Sequence, residues 1–117
     1  MKSPLLASVL LAVAQLAAAQ TQYNWRVYNN GGCDHNSSAA ATFPPNPAPA
    51  GIADVDTCIS VPQGIDWNRL EVGIGTLEMF TFCGDHCTGD VLETDDTGCN
   101  LPPPGCAIAS FIGFPPE

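Results

Sequence analysis

The residues able to do chemistry are few. Six cysteines (Cys33, Cys58, Cys83, Cys87, Cys99 and Cys106) stand beside two short Asp-His pairs, Asp34-His35 and Asp85-His86. An even set of cysteines in a small chain of an oxidising compartment closes as disulfides, which leaves no thiol as a nucleophile. Cys83-Gly-Asp-His86-Cys87 has metal-binding residue types, but no second ligand cluster with zinc-site spacing accompanies it. No metal or cofactor is expected. Neither histidine has a Gly-x-Ser-x-Gly elbow or a His-Glu-x-x-His helix to act with. Asp95-Asp96 are neighbours in a turn-like segment, where carboxylates face water or cap backbone donors rather than flank a glycosidic bond. Binding without catalysis is therefore expected. Trp67, set among Asp66, Asn68 and Arg69, is the ring expected at the surface, where an aromatic beside polar groups suits sugar or protein contact. Arg69 is the cation that would stack on it or pair with Glu71. Trp25 is expected in the core.

The elements that must position these residues begin after a leader. Lys2, the apolar run Leu5–Ala14 and the small residues Ala17-Ala18-Ala19 form a secretory signal over residues 1–19. The run is interrupted at Gln15, short of the roughly twenty apolar residues that span a bilayer. Residues 20–117 are expected as one secreted, extracellular domain, and a monomer. They carry two arginines, Arg26 and Arg69, against twelve Asp and Glu. Nucleic acid and anionic membranes both recruit positive charge, so neither is an expected partner. An extracellular protein or polysaccharide is.

The chain resembles itself. Tyr28 precedes Cys33 by five residues as Phe82 precedes Cys87, and Cys58-Ile-Ser-Val-Pro62-Gln-Gly64 aligns without gaps to Cys99-Asn-Leu-Pro-Pro103-Pro-Gly105. Two units, about 23–74 and 77–114, follow. Six cysteines allow fifteen pairings. The repeat makes the simplest of them Cys33–Cys58, Cys87–Cys99 and Cys83–Cys106, with each unit closing on itself. The first unit holds an insertion, residues 36–51, whose proline density predicts an extended surface loop. It contains the glycosylation sequon Asn36-Ser37-Ser38. Short alternating runs predict strands at Tyr23–Tyr28, Thr57–Val61, Leu70–Ile74, Leu77–Phe82, Asp90–Glu93 and Ile108–Phe114, in an all-β domain with low helix content.

Phe82-x4-Cys87-x-Gly89, with Ser110 beyond it, resembles the aromatic-x4-aromatic-x-Gly signature and serine of the βγ-crystallin Greek-key motif. That resemblance implies a disulfide-stapled sandwich of two Greek-key-like repeats. The first unit departs from the motif, with His35 opposite Gly89 and Arg69 opposite Ser110. The calcium-binding form of the family has paired Asp or Asn ahead of the serine, where Gly105 and Cys106 stand here, so calcium is not implied. The chain is also similar in style to the small secreted cysteine-rich proteins of filamentous fungi, many of which act as effectors in plant hosts. The expected function is thus a non-enzymatic, effector-like binding protein. A carbohydrate- or cell-wall-binding module is the alternative, and an antimicrobial or killer-toxin-like protein a further one.

Overall fold

The computed structural model describes residues 21–73, 77–94 and 98–115. They form nine strands in two antiparallel sheets: β1 Gln22–Tyr28, β2 Thr42–Phe43, β3 Gly51–Asp54, β4 Ile59–Ser60, β5 Arg69–Val72, β6 Glu78–Gly84, β7 Thr88–Thr94, β8 Cys99–Asn100 and β9 Ser110–Phe114. The first sheet runs β2-β1-β5-β8, with β3 also on β1, and the second runs β4-β9-β6-β7. A single 3-10 turn, Ala39–Ala41, is the helical content among the described residues. The all-β expectation holds. Of the expected strands, the one at 57–61 shrinks to two residues, and Ile74, Asp95 and Asp96 lie outside the described residues.

Alternation decides which side chains face inward. Trp25 and Val27 of β1, Leu70 and Val72 of β5, Met79 and Thr81 of β6 and Phe111 of β9 are buried between the sheets. Trp25 meets Phe111 edge-on at 5.0 Å. Trp67 and Ile108, in the connections entering β5 and β9, meet where the halves join, and Ile108 N–H donates to Trp67 O at 2.7 Å. Burial of this apolar cluster is the main favourable term holding the sheets together.

Strand pairing recurs from half to half. Tyr28 lies opposite Arg69 as Phe82 lies opposite Ser110, and Leu70 lies opposite Asn100 as Phe111 lies opposite Ile59. The short strands cross over: β4, from the first half of the chain, completes the second sheet, and β8, from the second half, completes the first.

That crossover corrects the expected disulfides. The bridges are Cys33–Cys99, Cys58–Cys87 and Cys83–Cys106. Equivalent cysteines do make equivalent bridges, but each joins one half to the other, because Cys58 precedes β4 and Cys99 opens β8, both of which sit in the opposite sheet. Only Cys83–Cys106 agrees with the sequence expectation.

The β6–β7 hairpin is folded down onto its sheet. Between β6 and β7, His86 and Cys87 take left-handed backbone (φ 55° and 58°) and Gly89 φ is 79°. Ser110 Oγ anchors this fold, donating to Gly84 O at 2.6 Å and accepting from Cys87 N–H at 2.8 Å. Ser60 Oγ accepts from His86 N–H at 3.0 Å.

The expected surface loop 36–51 is more structured than its prolines indicated. It contains β2 and leads into β3, both laid against β1. These strands escaped notice because each is too short to show alternation. β3 begins at Gly51 for a steric reason: a Cβ there would lie 2.4 Å from the Trp25 ring.

The crossover makes a covalent prediction. Peptide mapping of the oxidised protein should recover Cys33–Cys99 and Cys58–Cys87, and recovery of Cys33–Cys58 would refute the exchange of β4 and β8. The Cys33–Cys99 bridge spans 66 residues and Cys83–Cys106 spans 23. Removing the first pair should cost about 4 kcal/mol and the second about 3 kcal/mol in the chain-entropy model, read by denaturant unfolding.

Candidate functional site

Each sheet turns one face to the core and the other outward, and the two outward faces are built differently. On the first sheet the outward residues include Asn24, Arg26 and Tyr28 of β1 and Arg69 and Glu71 of β5, and the inserted segment lies over them. Arg26 Nε donates to Pro44 O at 2.9 Å, and its guanidinium also reaches Ala48 O. Glu71 accepts from Tyr28 Oη at 2.8 Å through one carboxylate oxygen and contacts His35 Nε2 through the other. Asn46 Nδ2 donates to Ser37 O at 3.0 Å, tying the segment to itself. With this lid in place Tyr28 is fully buried.

The Tyr28–Glu71–His35 group is the closest approach to an acid–base cluster in the described residues, so its electrostatics matter. Burial, and next the hydrogen bond to the Glu71 carboxylate, push the Tyr28 phenol up to about 12. A tyrosine nucleophile would need its phenolate stabilised. Here the neutral phenol is favoured, which suits a pin for the lid. Across the molecule, His86 Nδ1 lies 3.2 Å from Asp85 Oδ2, both side chains exposed. No group of three or more His, Cys, Asp or Glu side chains able to hold a metal occurs among the described residues.

The expected binding residues fare unequally. Trp67 is a correction: it is 2% exposed, and its Nε1 donates to Pro62 O at 2.9 Å. The polar neighbours that marked it as a surface ring are themselves at or near the surface, while the indole turns inward to fill the junction between halves. Arg69 is half-buried, and its Nη1 donates to Asn68 O at 2.7 Å, not to Trp67. Trp67 and Arg69 therefore do not form a joint site. Asn36 is exposed in a turn whose backbone N–H is held by Asp34 Oδ1 at 2.9 Å. A shallow cleft of about 320 Å³ is lined by Gln63, Ile65, Asp66, Cys83 and Ile108 among others.

On the second sheet the positions matching Arg26, Tyr28 and Glu71 are apolar, while those matching Asn24 and Arg69 are Glu78 and Ser110. Phe80 lies opposite Ile112 in the register where Arg26 lies opposite Glu71, and Phe82 stands where Tyr28 does. Phe114 packs edge-on against Phe80 at 5.5 Å. Val91, opposite Phe82 on β7, is 50% exposed. Among the described residues no hydrogen bond, disulfide or ring contact ties a loop across Phe80, Val91 and Ile112. Glu78 and Glu93, opposite Phe114 and Phe80, sit at the end of the face away from the folded hairpin.

Compared with protein-family models, curated proteins and solved structures, the chain matches none. The site must be read from its own chemistry.

Sequence reasoning missed this face, although a signal was present. Met79-Phe80-Thr81-Phe82 and Phe111-Ile112-Gly113-Phe114 place apolar residues on both parities of a strand. A strand of that kind has a second surface to cover.

Two outcomes follow. Trp67→Ala should lower stability by about 3–5 kcal/mol, as for other large buried aromatics; unchanged thermal unfolding would place the ring outside the core. Tyr23 is likewise pushed up to about 12, chiefly by burial, so both tyrosines of the chain should titrate late. The unfolded phenol titrates near 10. The stabilisation is fully present below that value and is lost as pH rises through about 12. Phenolate absorbance should stay low at pH 10.5 in the folded protein and appear there on denaturation; a folded-state midpoint near 10 would contradict both burials.

Proposed function

We propose that this chain is a secreted, effector-like binding protein that acts without catalysis, by occupying an extracellular protein through the outward face of its second sheet. Three disulfides agree with an oxidising compartment. Among the described residues no helix is long and apolar enough to cross a membrane. The observation that carries the reading is the contrast between the two faces. Where the first sheet has Arg26, Tyr28 and Glu71 under a lid, the second has half-buried Phe80, Phe82, Ile112 and Phe114 around Val91, which is 50% exposed. Exposed antiparallel faces ordinarily alternate to polar residues, and a contiguous apolar patch rimmed by charge is the usual mark of an interaction surface. The scaffold suits the task. Cross-linked strands lose little conformational entropy on association.

The same reading takes the fold to be βγ-crystallin-like, a pair of Greek keys that exchange one strand each. In its favour are the crossover of β4 and β8, the equal register of the two halves, the left-handed Gly89 and the clamp by Ser110 Oγ. The sugar-binding alternative relied on Trp67 as a surface platform, and that ring is in the core.

The test is differential capture. Immobilised residues 20–117 would be exposed to extracellular fluid from candidate hosts, alongside Val91→Asn in the second face and Ile52→Asn in the first. Ile52 is 67% exposed, so both substitutions leave the core alone. A protein retained by the wild type and by Ile52→Asn, but reduced at least tenfold by Val91→Asn, is the expected result. Equal retention by all three would move binding off this face.

A further inference from the structure

Resting on that reading, we infer that the second-sheet face takes a cationic protein segment, one that sets apolar side chains on Phe82, Val91 and Ile112 and lysine or arginine beside Glu78 and Glu93. The inference comes from where charge lies. Both arginines of the mature chain belong to the first sheet, Arg26 on β1 and Arg69 on β5. The long strands of the second sheet and their turn hold Glu78, Asp85, Asp90 and Glu93, with no lysine or arginine. No resident cation offsets the field at this face.

The acids are also ordered. Register places Glu93 opposite Phe80 and Glu78 opposite Phe114. Phe82 and Val91, opposite one another, lie nearer the folded hairpin. Acids thus flank the apolar residues at both ends, Asp85 and Asp90 beside the hairpin and Glu78 and Glu93 at the far end. A partner that buries its apolar groups between them must bring these carboxylates within reach of its own charge. An anionic partner would desolvate like charges against one another, whereas a cationic one gains complementary pairing and faster encounter. The same argument disfavours a second copy of this chain, whose matching face repeats the same acids.

The first sheet shows how such a face is closed. There the occupant is the chain's own inserted segment, and its pins are charged or polar: Arg26 to Pro44 O, and His35 to the Glu71 carboxylate. The second half has a short folded hairpin where the first has the insertion, and among the described residues no equivalent segment is pinned over its face.

The experiment uses two synthetic peptides with the same alternating valine and phenylalanine residues. One carries lysine at every polar position and the other glutamate. Each is fluorescently labelled and titrated by anisotropy into oxidised residues 20–117, with amide shifts mapping the site. The lysine peptide should bind with shifts on β6, β7 and β9, and weaken as salt rises. Glu78→Gln with Glu93→Gln should weaken it about fivefold, the scale of two solvent-screened pairs. Val91→Asn should weaken it further. If both peptides bind this face equally, or the glutamine pair changes nothing while Val91→Asn does, the face docks partners but the cationic assignment falls. Shifts confined to the first sheet, or no binding by either peptide, would overturn the assignment, and capture sensitive to Val91→Asn would then decide whether the docking face survives. Concentration-dependent dimerisation abolished by Val91→Asn would assign the face to a second copy and refute the inference.

Discussion

The constraint on which the structure depends is the exchange of one short strand between the halves. β4 and β8 are two residues each, too short to hold a place by their own pairing. Each is secured by a bridge beside it, Cys58–Cys87 for β4 and Cys33–Cys99 for β8. The Cys58–Cys87 bridge also ties the folded β6–β7 turn to the chain entering β4. One arrangement therefore closes the sheets, orders the turns and links the halves. A domain of this size has a limited core. Cross-links between halves serve it better than cross-links within each, since they also oppose separation of the sheets.

On this repeated backbone the two halves diverge in their outward side chains and in the inserted segment of the first. Corresponding register positions hold Arg26 and Phe80, Tyr28 and Phe82, Glu71 and Ile112. In the first half these residues bind a lid, and Tyr28 becomes a buried phenol held neutral by its surroundings. In the second half the same positions hold half-buried Phe80, Phe82 and Ile112. The inserted segment, dense in proline, is thus a built part of the first sheet's face.

Much of the scaffold was legible because it is local. Alternation at Tyr23, Trp25 and Val27 marks a half-buried strand, and aligning Cys58-Ile-Ser-Val-Pro62 with Cys99-Asn-Leu-Pro-Pro103 exposes the repeat. Trp67 misled because neighbouring residues in a chain need not share an environment. Asp66 and Asn68 are drawn toward water while the indole between them drops into the junction. β2 and β3 misled in another way, being too short for periodicity to register.

What the sequence determined by itself is composition and period: oxidised cysteines, an acidic chain, strands with inward faces, and the equivalence of Cys33 with Cys87 and of Cys58 with Cys99. What only the tertiary structure decided is which member of each equivalent pair meets which. Two repeats that keep their strands and two that exchange them have the same local signals, so they imply different bridges from one sequence. The outward faces are decided at the same level. Whether Arg26, Tyr28 and Glu71 are covered depends on where a distant insertion folds, and that is settled by long-range pairing with β1, not by any residue near them.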